Sequence, residues 1–206
     1  VASLNSSQLA ALSSTQIKAL SSTTLKSMDT AQIQGIGTPA LAGISTSTIN
    51  ALSNAEINKF SSKQIAGMSA NQIKALTANQ LNNLTSANQL STVTASQLGN
   101  MTTQQVKALT SAQVKTLSGA QIKGFSDLIQ SLEPTAIGAI STAAITSLIT
   151  PSGANNISST QLGLLGTAQV AKLSPTLIAK LSSDQIKGLT STQLPALDSN
   201  QIKALT

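Results

Sequence analysis

Leu12-Ser13-Ser14-Thr15-Gln16-Ile17-Lys18-Ala19, followed at once by Leu20, contains the whole logic of this chain. From Leu4 to Ala204 the sequence divides into 25 consecutive copies of that unit, 22 of them eight residues long. Position 1 is apolar in every copy, as in Leu12, Leu20, Met28, Ile36, Phe60, Val93 and Leu197. Position 6 is Ile, Leu or Val in all 22 regular octads, and position 8 is mostly small, as in Ala19, Gly35, Ala75 and Gly124. A fixed period of this kind marks a repeat architecture, in which each copy buries its apolar side against its neighbours.

One continuous helix cannot carry this stripe. Eight residues at about 100° each return roughly 80° out of register, and the error grows with every copy. A half-buried strand needs alternation, which spacings of five and three do not give. Position 2 decides between the remaining options. It is Ser or Thr in 18 of the 25 copies, and Asn5, Asp29 and Asp198 raise the good N-cap residues to 21. Three places later, position 5 is Gln in 15 of the regular octads and Glu56 in one more. Ser/Thr-x-x-Gln/Glu is the capping box, so each octad carries its own helix start.

The prolines test the frame independently, because a helix accepts Pro in its first turn, where the missing N–H has no intrahelical role. Pro134 and Pro175 fall at position 3 and Pro39 at position 4, in agreement. Pro195, at position 7, does not agree and predicts a distorted repeat. The expected unit is therefore a helix over positions 3 to 8 and a turn through positions 1 and 2. Such a helix, roughly nine ångströms long, does not persist alone in water and must pack on its neighbours. The expected fold is all-α, a solenoid of about 25 octapeptide repeats forming one domain over residues 1–206; the alternative is a β-solenoid. The number of octads per superhelical turn is not readable from the pattern.

Irregular copies interrupt the array. Residues 84–92 and 148–156 are nine long, the second with Pro151-Ser152-Gly153, and residues 125–131 are seven long. The span 125–156 departs most from the consensus and is the expected place for a kink or a specialised contact. The first full repeat opens at Leu4 and Leu205-Thr206 begin another, which suggests a processed product or an excerpt of a longer array.

Composition restricts the chemistry. The 206 residues include no His, Cys, Trp or Tyr, and twelve Lys against six acids give a net charge of +6. No ordinary transition-metal site and no Ser-His or Cys-His nucleophile can be assembled. Asp127 and Glu133 are the nearest acidic pair and read as solvated carboxylates. No calcium loop, phosphate-cradling Gly loop or Gly-x-Ser-x-Gly elbow occurs. The expectation is no enzyme, no catalytic, cofactor-binding or metal residues, and no cofactor. Without Arg or stacking aromatics, the scattered Lys do not suit nucleic acid, and no apolar run is long enough to span a membrane. Eight Lys sit at position 7 (Lys18, Lys26, Lys74, Lys107, Lys115, Lys123, Lys187, Lys203), near the helix C-terminus that favours a cation, and mark the outer face. Ser14, Thr15, Asn71, Asn79 and Thr103 stand for the exposed hydroxyl and amide rows at positions 3 and 4.

The octads Leu12–Leu20 and Leu109–Leu117, the latter Leu-Thr-Ser-Ala-Gln-Val-Lys-Thr-Leu, resemble octapeptide tracts of very long bacterial secreted and cell-surface proteins of adhesin type. The resemblance implies a bacterial, extracellular or cell-surface setting and a role as stalk, spacer or filament. Two functions follow as expectations. One is a structural repeat protein forming an extended rod, self-associating head to tail or laterally. The other is a surface binding module whose outer Lys, Ser, Thr and Asn face engages a polysaccharide or matrix.

Overall fold

The computed structural model describes residues 3–84, 89–124, 126–148 and 157–205. Among these residues the chain forms 21 short α-helices and three 3-10 helices, with no strand. The fold is the all-α solenoid that the octad predicts, and the β-solenoid alternative falls away.

Most of the α-helices start where the capping box puts them. In Ser14–Lys18 the Ser13 hydroxyl accepts the Gln16 backbone N–H at 3.3 Å, while Gln16 Oε1 accepts the Ser13 backbone N–H at 2.9 Å. Asn5, Asp29 and Asp198 cap in the same way with their carboxyl or amide oxygens. The α-helices run only four to six residues, so several stop short of position 8. Pro39, Pro134 and Pro175 occupy first-turn positions as expected. Around Pro195 the helix tightens into the 3-10 turn Leu194–Ala196, because proline supplies no N–H to an α-helical bond.

The chain divides into two compact halves, Val1–Met101 and Thr102–Thr206. Within the N-terminal half, helices three repeats apart lie side by side: Ser6–Ala10 against Thr30–Gly35, Ser14–Lys18 against Thr38–Leu41, and Thr46–Asn50 against Ala70–Ala75. The C-terminal half follows the same rule, with Ser111–Lys115 against Pro134–Ile137 and Ser159–Gly163 against Ser183–Ile186. Positions 1 and 6 fill the core in both halves, as Ile17, Met28, Phe60 and Ile73 show in one and Val114, Leu132, Ile145 and Leu162 in the other. All eight position-7 lysines are exposed, so the outer face is where the sequence puts it.

Coils approach closely where position 8 is glycine. A Cβ on Gly43 would stand 2.0 Å from the Ser14 carbonyl oxygen, and one on Gly188 would stand 2.3 Å from that of Ser159. Of the irregular copies, residues 126–131 form a 3-10 helix and 90–92 another. The following octads, with helices Pro134–Ile137 and Thr142–Ile145, are regular. Pro151-Ser152-Gly153 lies outside the described residues.

Candidate functional site

The capping box explains only half of the position-5 glutamine. Its side-chain oxygen closes the box, but a box accepts Glu as readily as Gln. The amide nitrogen has a separate task, one coil back. Gln72 Nε2 donates to the Leu41 and Ile44 carbonyls, both at 2.8 Å, and Gln64 Nε2 to those of Ile33 and Ile36 at 2.8 and 2.9 Å. In the C-terminal half Gln193 reaches Leu162 and Leu165, and Gln201 reaches Val170 at 3.0 Å and Leu173 at 2.8 Å.

The recurring acceptor is the carbonyl of a position-1 residue. That residue is extended in many repeats, as at Ile36 and Leu76, and its C=O lies beyond the helix it ends. Buried and without a partner, such a carbonyl would be costly, and the glutamine amide satisfies it. The clamp spans 28 residues, three and a half octads, wherever the intervening repeats are regular. Across a nine-residue repeat it spans 29 and still finds position 1, as Gln89 to Phe60 and Gln161 to Leu132 show. One superhelical turn therefore takes between three and four octads. Most of the glutamines that clamp are buried to the level of the core, Gln64 2% exposed and Gln201 1%, while Gln32 and Gln185 are half-buried.

Glu56 departs from the rule in an instructive way. It keeps the capping box with Ser53 but has no amide to send back. The Met28 carbonyl, its position-1 counterpart, is instead met by Lys59 Nζ at 2.6 Å. Hydrogen bonds from the Ser53 hydroxyl and backbone hold the Glu56 carboxyl below its usual pKa, and Lys59 and Lys26 add to this.

The polar residues named from the sequence lie on the outer surface. Ser14, Thr15, Asn71, Asn79 and Thr103 are all exposed. Glu133 pairs with Lys107 at 3.6 Å beside a cleft of about 370 Å³ lined by Thr103, Gln130, Pro134 and Gln161, whose amide is already bound to backbone carbonyls. Asp127 sits apart from that pair in sequence, in the first turn of the 3-10 helix Ser126–Ser131. Among the described residues no three His, Cys, Asp or Glu gather as a metal site, and no helix is long and apolar enough to cross a membrane.

A sequence model of the ALTTAQ repeat matches residues 49–86 and 178–206, together less than half of the chain. The six letters of that repeat fall on positions 8, 1, 2, 3, 4 and 5 of the octad, as Ala75-Leu76-Thr77-Ala78-Asn79-Gln80 illustrate. No curated protein matches the chain significantly. Over these two stretches the chain is a repeat protein similar to the ALTTAQ repeat family.

Proposed function

We propose that the protein is a non-enzymatic structural array, deployed outside the cell or on its surface, whose product is regular length with a uniform polar exterior. The observation that supports this most directly is the glutamine clamp. Among the described residues the buried polar side chains are all glutamines, and clamps such as those of Gln72 and Gln201 spend their amides on joining one coil to the next. Small-angle scattering of the purified chain tests the reading: an elongated particle is expected, and a compact near-spherical one overturns it.

The same reading extends to end-to-end association with a second copy. The repeat supports this, because successive octads present the same position-5 amide and position-1 carbonyl, so a second copy in register can meet the first as one coil meets the next. Electron microscopy as a function of concentration is expected to show lengthening particles, and a monodisperse monomer at every concentration removes this extension.

The exposed lysine row favours a second reading, a binding surface for an anionic polysaccharide. Salt-sensitive retention on an acidic glycan column supports it, and no retention at low salt rejects it.

A further inference from the structure

The clamps are not evenly distributed. In the N-terminal half Gln64, Gln72, Gln80, Gln89 and Gln97 join successive coils from residue 60 onward. Gln32 joins its own octad to Leu4. Between these, three consecutive octads have Ala40, Thr48 and Glu56 at position 5. None carries an amide.

The carbonyls that this coil would clamp belong to Leu12, Leu20 and Met28. Lys59 meets Met28, and at the same end Gln34 Nε2 reaches forward to the Lys59 carbonyl at 3.2 Å. Among the described residues Leu12 and Leu20 receive no side-chain donor, and Gly43 lies bare against the Ser14 backbone. Over Leu12 and Leu20 the boundary is held by apolar contact, and its side-chain ties, from Lys59 to Met28, from Gln34 to Lys59 and from Gln64 to the Ile33 carbonyl, are gathered at one end. The C-terminal half repeats the omission, with Ala136 and Ala144 at position 5 of successive octads.

We propose that these sparsely clamped boundaries are built-in opening points, at which one whole coil separates while the fully clamped coils on the far side stay folded. In the N-terminal half the coil that leaves is residues 4–35. It leaves as one piece, because Gln32 ties its end to its beginning and because five-residue helices cannot persist once the neighbouring coil is gone. Opening would release about 110 Å of chain at full extension. The array would then lengthen in coil-sized steps under load and reclose by the same register.

Hydrogen exchange of the full 206-residue chain tests this. The amides of Ile17 and Leu25, bonded to the Ser13 and Ser21 carbonyls, are expected to exchange at least ~10-fold faster than those of Ile73 and Leu81. Fraying at a chain end would give the same ordering, so the deciding arm installs the missing clamps. Thr48→Gln, and separately Ala40→Gln, place an amide where other octads have one and should slow exchange across residues 12–28 by about tenfold, with residues 65–81 unchanged. Thr48→Asn, one methylene shorter, should not. The proposal is overturned if both glutamine variants fold, by circular dichroism, and leave exchange in 12–28 as it was, or if they slow the whole half equally. Gln72→Met is the converse arm: it should move an opening point to the Leu41–Ile44 boundary, and unchanged exchange there also counts against the proposal.

Discussion

At the scale of one residue, the molecule depends on the difference between Gln and Glu. Both close a capping box, and only Gln also donates backwards. Gln72→Glu would set a carboxylate against the Leu41 and Ile44 carbonyl oxygens in a site 3% exposed. We expect a loss of about 3–5 kcal/mol at pH 7, as for other buried charges without a partner. The pH dependence has a definite sign. The fold favours the protonated acid, so the folded pKa is raised; the variant is then most stable below about pH 4 and loses stability as the pH climbs above that. Denaturant titrations at pH 3.5 and 7 check this, and equal losses at both would refute it. Glu56 behaves oppositely, because its folded pKa is lowered. Its contribution is present above the unfolded value near 4.3 and fades as the pH falls through the folded one. Glu56→Gln should remove that acid sensitivity and make Lys59→Ala nearly silent, since an amide then reaches Met28; a double-mutant cycle measures the coupling. The capping role of position 5 was legible from spacing alone. Its clamping role had one signal, fifteen Gln against a single Glu, which a box by itself does not require.

At the scale of an element, four to six residues make a helix that exists only because its ends are satisfied. Ser69 accepts the Gln72 N–H at 3.2 Å, and Ser69→Ala should cost about 1 kcal/mol, within the 0.5–2 range for lost caps, read as a shift in the urea midpoint. Octad frame, helix starts and first-turn prolines were all readable, because caps are local chemistry three residues apart. Helix length was overestimated by one or two residues in several repeats, since position 8 takes part in the turn wherever the C-cap stays helical, as at Ala19 and Gly67. The size of the superhelical turn was not readable at all. It is set by a bond between residues 28 apart, and a uniform octad fits three repeats per turn as well as four until that bond is seen.

At the scale of the whole molecule, stability is a sum of similar layers, so damage should be graded. Ile73→Ala removes a fully buried position-6 side chain and should cost about 2–5 kcal/mol. Gly43→Ala drives a methyl into the Ser14 carbonyl and should cost about 1–3 kcal/mol, at a boundary with little else to hold it. In a cooperative globule either change would shift one transition. Here thermal unfolding followed by circular dichroism should broaden, as the altered coil melts ahead of the rest.

The clamp also governs how such an array can change in length over generations. It recognises a place in the octad, the position-1 carbonyl, and is indifferent to which copy provides it, as Gln89 and Gln161 show by reaching it across an extra residue. Out-of-register recombination between near-identical repeats therefore yields a foldable protein whenever whole octads are gained or lost, with each glutamine simply adopting a new carbonyl. Deleting Met68–Ala75 should leave helicity per residue unchanged, whereas deleting only Met68–Asn71 should unfold the surrounding coils; circular dichroism of the two variants distinguishes them. Copy number is then a heritable dial that moves in whole notches.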